Sequence, residues 1–372
     1  MQKMIRIFDI SFGYHPEISF PEQVPILHRE GLGYADFLKN QMDITIIKHI
    51  NYEGEMEKDG VRFRFFRSGR GFFHGYLKTI HYIKREKPEL VFVQGLLFPF
   101  QVIILHMIAG KKIRIIAQHH GERPFTGLKK IFQRLADRYI HAYLFTSLGN
   151  AIPWLEAGII KDRAKCQEIL EGSTDFIKQN KQISRKKLQV SGSPIILWVG
   201  RLNSNKDPLT VLKGFKKFQG RFNSVRMYMI FHEDDLLEEV KNFIGLNAMY
   251  EQIHLIGKIP HLDLKDWFSA ADIFISGSHM EGSGFALLEA MACGCIPVVT
   301  AIPSFITMTG KGLWGFLYEP GNENKLFDAL MLAQEINLET FPNKLKNYFN
   351  EELSFASIAE KLYTRCMKLI AE

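Results

Sequence analysis

Residues 272–299 read DIFISGSHMEGSGFALLEAMACGCIPVV. The opening DIFIS is apolar with no breaker, which predicts a buried strand, and Gly277 begins a polar, glycine-rich turn. From Phe285 to Ala292 every residue suits a helix, Gly294 stops it, and a second apolar strand follows. Strand, glycine turn, short helix and strand make one unit of a parallel, helix-covered sheet, which fixes the fold class as α/β. The same unit carries chemistry. Gly282 and Gly284 let a ligand come close to the backbone, and the free N–H groups at the helix start near Gly284 and Phe285 form an anion site. The helix dipole adds about 0.3–1 kcal/mol to such a contact.

Outward from this stretch the pattern repeats. Strands are predicted at 195–199, 225–231, 253–256 and 315–318, with helices such as 208–218 and 236–244 between them. An earlier series places strands at 5–10, 43–48, 61–66, 90–94, 113–117 and 142–146, with helices at 73–85, 128–139 and 151–157. A chain of 372 residues suits two cores. Between the series, 176–193 dissolves into Lys, Gln, Arg and Ser and ends Ser-Gly-Ser-Pro, which reads as a linker. The expected organisation is a first domain at 1–175, the linker at 176–193, a second domain at 194–350, and a C-terminal helix at 351–372 packing back toward the first. Both domains are expected to be Rossmann-like and doubly wound, facing across a cleft where ligands bind at strand C-termini.

Composition bounds the rest. At 46% hydrophobic and 23% charged, the chain is globular and not disordered. Residues 1–190 hold 30 Lys+Arg against 19 Asp+Glu, so the basic charge lies in the first half, where nucleic acid, an anionic membrane or a phosphorylated substrate could meet it. It is sharpest on the 128–139 helix, where Lys129, Lys130, Arg134 and Arg138 are expected opposite an apolar stripe of Leu128, Ile131, Phe132, Leu135 and Tyr139, a face suited to anionic lipid. Four scattered cysteines fit a reducing cytoplasm, and the N-terminus reads as a strand and not a signal peptide. The charge-free stretch 91–110 is broken by Gly95 and Pro99, so strand, turn and helix explain it better than a membrane span. His232-Glu-Asp-Asp reads as acids at a helix start, and no metal site is implied.

In 195–208, IILWVGRLNSNKDP, a buried strand delivers Arg201 to its tip, and Lys206 precedes a helix capped by Asp207 with Pro208 in its first turn. Arg binds diphosphate oxygens as a fork while Lys neutralises them, although these two residues alone fit a solvated loop equally well. Glu281 lies before the 285–292 helix and Glu289 within it. On opposite sides of a bound diphosphate, they do not make the carboxylate pair that glycoside hydrolysis needs.

Glu281-Gly-Ser-Gly-Phe-Ala-Leu-Leu-Glu289-Ala-Met-Ala-Cys-Gly-Cys-Ile-Pro-Val closely resembles the E-x7-E signature of family 4 retaining glycosyltransferases. Gly200-Arg-Leu with Lys206, and 315–322 (GFLYEPGN), extend the resemblance over most of 195–335. It implies a GT-B fold, a nucleotide-sugar donor (UDP- or GDP-linked) bound by the C-terminal domain, and a glycan or lipid-linked acceptor at the N-terminal one. No cofactor is required, and nucleic acid is not a partner. Carried over, Arg201 and Lys206 would bind the diphosphate, Glu281 the donor sugar, Glu289 the ribose, and the backbone around Gly282, Gly284 and Phe285 the donor. The N-terminal match rests on 118–122 (QHHGE), Leu135-Ala-Asp-Arg, Thr146-Ser147 and 169–176 (ILEGSTDF). It implies a histidine beside the anomeric carbon, His120 or its neighbour His119. The family's glycine-rich loop after the first strand is not evident, since Gly13, Gly31 and Gly33 lie in a longer segment containing Pro and His. Alternatives on the same scaffold are a nucleotide-sugar epimerase, a sugar phosphorylase, or a non-catalytic nucleotide- or nucleic-acid-binding protein.

Overall fold

A computed structural model of the chain describes residues 4–67, 74–110, 112–336 and 340–372. The chain divides into two compact units, Met1–Ser173 with Phe355–Glu372, and Thr174–Ser354.

The first unit is built on β1 (Ile5–His15), β2 (Met42–Ile50), β3 (Gly54–Lys58), β4 (Val61–Phe66), β5 (Leu90–Gln94), β6 (Arg114–Gln118), β7 (Ala142–Phe145) and β8 (Cys166–Glu168). Their order across the sheet is β3-β4-β2-β1-β5-β6-β7-β8. Among the described residues only β3 runs antiparallel, joined to β4 through Asp59 and Gly60, both at positive φ (53° and 80°), the conformation a tight hairpin turn demands. Because β1 pairs in parallel with both β2 and β5, the winding reverses between β1 and β5, the place outside whose carboxyl ends such sheets bind ligands. Phe8, Ile10, Val91, Val93, Ile115 and Ala117 put the sheet's apolar side into the core. The expected glycine-rich loop after the first strand is absent for a structural reason: β1 continues through Gly13 to His15, slipping register between Ile10 and Tyr14 to stay paired with β2.

The charge-free stretch 91–110 is the end of β5, a turn, and a helix Pro99–Ala109 that starts on its proline and stops at Gly110 (φ 95°). Among the described residues no helix is long and apolar enough to cross a membrane. The closing helix Phe355–Ala371 seats Phe355 where a Cβ on Gly33 would come within 2.5 Å of its ring, and Arg29 stacks over that ring.

The Gly127–Ala136 helix departs from its predicted face. Leu128 and Ile131 are 78% and 56% exposed, and Gln133 and Ala136 are the buried residues. Gln133 displaces the apolar stripe because its amide has specific work, donating to Leu96 O at 3.1 Å and accepting the Phe125 N–H at 2.9 Å. Arg134 is not a free cation either, since it donates to the carbonyls of Ala157 and Gly158.

The second unit holds β9 (Ile195–Gly200), β10 (Arg226–Phe231), β11 (Ile253–Gly257), β12 (Ile273–Ser276), β13 (Ile296–Thr300) and β14 (Phe316–Tyr318). All pair in parallel, in the order β11-β10-β9-β12-β13-β14, which is the dinucleotide-fold order with its reversal between β9 and β12. Trp198, Phe215, Phe218, Met229, Ile275 and Leu330 form its core.

Within 176–193, expected as linker, lies a helix, Lys181–Leu188. Asn180 caps it by accepting the N–H groups of Gln182 and Ile183, and Gln189 ends it in the left-handed region. Ion pairs hold it where an apolar stripe would usually do so: Lys181 and Arg185 each reach buried Asp272 at 2.7 Å, and Asp272 also accepts the Ile195 N–H. A helix anchored this way looks like a linker by composition.

Candidate functional site

In the second unit, two loops meet at the β9/β12 reversal. Gly277 makes this possible, because a Cβ there would lie 3.0 Å from the carbonyl oxygens of both Lys206 and Asp207. The loops are stitched together by Asn205 Nδ2 donating to Met280 O (3.0 Å), His279 N–H donating to Asn205 O (2.8 Å), and His279 Nε2 bonding Asp207 Oδ2 (3.1 Å). Asp207 also caps the Pro208–Gln219 helix by accepting the Thr210 N–H.

This frame gathers most of the residues singled out from sequence. Lys206 Nζ donates to Glu281 Oε1 in an ion pair whose side chains are only 20% and 13% exposed. Arg201 stands at the strand tip, 54% exposed, with its guanidinium 3.6 Å from Glu233. Gly282 follows Glu281 in the turn, and Ser304 Oγ donates to the Glu281 carbonyl. Gly284 adopts φ 70° and starts the Phe285–Ala292 helix, whose N-terminus carries no side-chain cap. Two cations, an uncapped helix start and a carboxylate at one strand edge can bind a doubly anionic group and grip a neighbouring polyol. Glu289 lies deeper, buried in the helix, with Oε1 2.5 Å from His261 Nε2, and the His261 ring stacks on Phe176 at 5.1 Å.

In the first unit, the β1/β5 reversal carries a polar network. Asp9 pairs across the sheet with Ile46 and Phe92, and Ser11 with Gln94, so Asp9, Lys48 and Gln94 share one face, continued by His120 beyond Gln118. Asp9 Oδ2 accepts the Tyr34 hydroxyl and the Gln94 Nε2 (2.9 Å). Gln94 Oε1 lies 2.8 Å from His120 Nε2, and His120 Nδ1 lies 2.5 Å from Glu171 Oε2. Burial raises the Asp9 pKa, opposed by Lys48, Tyr34, Gln94 and His120, and lowers that of Lys48. For His120 burial works downward, but the hydrogen bond and charge of Glu171, with the charge of Glu122, outweigh it and hold the pKa above the usual imidazole value.

The two candidate histidines part company. His119 is 3% exposed, packed on Phe145 and Trp154, with Nε2 bonded to Glu122 O at 2.9 Å, and burial lowers its pKa. His120 faces outward at 36% side-chain exposure, and its backbone N–H is held by Glu122 Oε2 at 2.6 Å. Sequence reading passed over Asp9, Tyr34, Lys48, Gln94 and Glu171. One signal was available: Asp9, Lys48 and Gln94 are polar residues inside the apolar runs IRIFDISF, ITIIKHI and LVFVQ.

Comparison with known proteins bears on the same edge. Residues 179–351 match the family described as Glycosyl transferases group 1. Mannosylfructose-phosphate synthase of Agrobacterium fabrum is 25% identical over 158 residues, 41% of this chain and 35% of that protein. Amylovoran biosynthesis glycosyltransferase AmsK of Erwinia amylovora is 28% identical over 148 residues, 36% of each. The chain thus spans about a third of the length of these curated relatives. Among solved structures, Anabaena HepE in complex with UDP superposes with a TM-score of 0.76 at 15% identity, covering 98% of this chain and 100% of that one. A glycosyltransferase from Rickettsia africae does so with a TM-score of 0.76 at 17% identity and full coverage of both. Residues 179–351 thus carry the pattern of the group 1 glycosyltransferases, and the chain has the GT-B fold, shared over almost its entire length with these solved structures.

Proposed function

We propose that the chain is a retaining glycosyltransferase that moves a sugar from a nucleoside-diphosphate donor to a glycan or lipid-linked acceptor in surface polysaccharide or glycolipid assembly. One observation carries this reading: Arg201, Lys206, Glu281 and the uncapped helix start at Gly284 converge on one strand edge within the segment that matches the family. Arg201, Lys206 and the amides of Gly284 and Phe285 take the diphosphate, Glu281 the donor sugar's hydroxyls, and Glu289 the ribose. His120 serves the acceptor side, so the second unit is the donor domain and the first the acceptor domain. UDP-sugars are the first donors to try, since HepE is solved with UDP-glucose as well as UDP. The acceptor class is supported by relatives such as the amylovoran glycosyltransferase.

The chemistry is electrostatic. As the bond from the anomeric carbon to the diphosphate oxygen breaks, charge grows on the leaving group where Lys206, Arg201 and the helix start can meet it. The acceptor oxygen attacks from the same face, and its proton passes to the leaving phosphate. Lys206 must then exchange Glu281 for phosphate, which frees Glu281 for the sugar.

Thermal melts against a panel of UDP- and GDP-sugars test the donor assignment. A donor at a hundred times its dissociation constant adds about 2.7 kcal/mol. Product analysis by NMR should then show a new glycosidic bond with the donor's anomeric configuration. Stabilisation by no nucleotide sugar would sink the proposal, and an epimerised or phosphorolysed product would replace it with one of its rivals.

A lipid-linked acceptor favours a place at the inner membrane face. Leu128 and Ile131 stand exposed beside the exposed cations Lys129 and Arg138, the pairing of apolar and basic side chains that anionic lipid attracts.

A further inference from the structure

Two contacts at the β1/β5 reversal bear on the charge of His120, a hydrogen bond with Gln94 and an ion-pair contact with Glu171. At one end, Asp9 Oδ2 accepts from both the Tyr34 hydroxyl and the Gln94 amide nitrogen. An amide that turns its NH2 toward a carboxylate turns its carbonyl away from it, and that carbonyl oxygen lies 2.8 Å from His120 Nε2. A carbonyl oxygen only accepts, so Nε2 must carry a proton. On the far side of the ring Nδ1 lies 2.5 Å from Glu171 Oε2, a buried carboxylate oxygen with no hydrogen-bond partner, and a proton on Nδ1 makes this contact an ion pair. An imidazole protonated on both nitrogens is a cation and has no lone pair left to take a proton.

We propose that Asp9, Gln94 and Glu171 are positioning residues that hold His120 as a doubly protonated imidazolium, so that it meets the reacting sugars as a fixed positive charge and not as a base. The part that concerns sugars rests on the glycosyltransferase reading above, whereas the charge state does not. The surrounding charges agree with it. Glu171, Glu122 and Asp9 favour the cation, while Lys48 and burial oppose it. His119, bonded through Nε2 to a carbonyl and through Nδ1 to the Gly121 N–H, takes the neutral pattern and adds no charge. Only reversed polarity would make His120 Nε2 an acceptor, and that requires a protonated Asp9 and a turned-over Gln94 amide.

The test is a long-range proton–nitrogen correlation on the full chain labelled with 15N-histidine, with His120 assigned by its loss in His120→Asn. At pH 7.5, where free imidazole is mostly neutral, both His120 nitrogens should give protonated signals. Glu171→Gln should lower its titration midpoint by about 1–3 pH units. Gln94→Leu should lower it less, and Gln94→Glu should raise it. A purely structural role would change melting temperatures without producing this order, and the Gln94 pair keeps the test alive if Glu171→Gln does not fold. One bare nitrogen in the unsubstituted protein at pH 7.5, or a single midpoint shared by all variants, overturns the proposal. Transfer from a nucleotide sugar should fall as pH rises through the His120 midpoint, and should fall earlier in Glu171→Gln. A rate that climbs through that midpoint makes His120 a base and also overturns it. If the nitrogen signals hold but no nucleotide sugar is ever turned over, the glycosyltransferase reading fails and the charge assignment stands.

Discussion

The β9/β12 and β1/β5 reversals are the same topological feature built twice, from two kinds of side chain. At β9/β12 the polar groups come from two short loops and keep contact with solvent: Arg201 is 54% exposed, and the side chains of the Lys206–Glu281 pair are 20% and 13% exposed. At β1/β5 they come from separate segments, at 9, 34, 48, 94, 120 and 171, and most are sealed in, with Asp9 at 0% exposure and Lys48 at 7%. An ion pair that keeps some contact with solvent exchanges partners more cheaply than a sealed network rearranges. The β9/β12 edge is therefore suited to taking up a charged ligand and releasing it, and the β1/β5 edge to presenting a fixed charge.

The sharpest way to break this comparison is at the β9/β12 edge. Arg201→Ala and Glu281→Ala should each cost about 3–4 kcal/mol of transition-state stabilisation, two to three decades in turnover, with melting temperature nearly unchanged. A folded variant that keeps its turnover in a steady-state transfer assay would remove that residue from the chemistry.

Acid should separate the units next. His49 is fully buried, bonded to Ser11 O and Thr79 Oγ1, and burial brings its pKa down to about 4. Its ordinary value lies near 6.5, so its neutral form stabilises the fold fully above that pH, and the loss accumulates as pH falls toward about 4, reaching about 3 kcal/mol. His28, in the same unit and also lowered to about 4, works in the same direction. Proteolysis with peptide mapping at pH 7 and pH 5 should therefore show the first unit opening before the second, and simultaneous opening would refute this.

Glycine shows the same contrast on a smaller scale. Gly284 has φ 70°, and a Cβ there would lie 2.5 Å from the Phe305 ring, which is itself buried. Gly95 has φ 96°, and its Cβ would meet the Glu122 carboxylate end at 2.9 Å. Gly284→Ala should cost about 2–4 kcal/mol from dihedral strain plus overpacking, and Gly95→Ala about 1–2 kcal/mol, read from urea unfolding. Equal costs would mean that the Phe305 wall yields.

How far each edge can be read from sequence follows from where its residues lie along the chain. Residues 272–299 specify strand, turn, helix and strand in one window, because positive-φ glycines and an uncapped helix start are local features. Asp9, Gln94 and Glu171 become neighbours of His120 only through strand register, and register depends on the whole sheet. The Lys181–Leu188 helix was missed for a related reason, as its partner Asp272 lies far along the chain. Leu128 and Ile131 were misplaced because helical periodicity finds an apolar stripe but does not say whether anything covers it.

That uncovered stripe gives the smallest effect on folding. Leu128→Ser with Ile131→Ser removes two exposed side chains that the core does not use, so stability should change by no more than about 0.5 kcal/mol per site. If the stripe meets lipid, flotation with vesicles rich in anionic phospholipid should drop severalfold in the double variant, while binding of a nucleotide sugar stays unchanged. Neutral vesicles should recover less of the unsubstituted protein, because Lys129 and Arg138 would lose their attraction. Equal flotation of the two proteins would confine the first unit's basic surface to soluble partners, leaving the acceptor to be captured from solution.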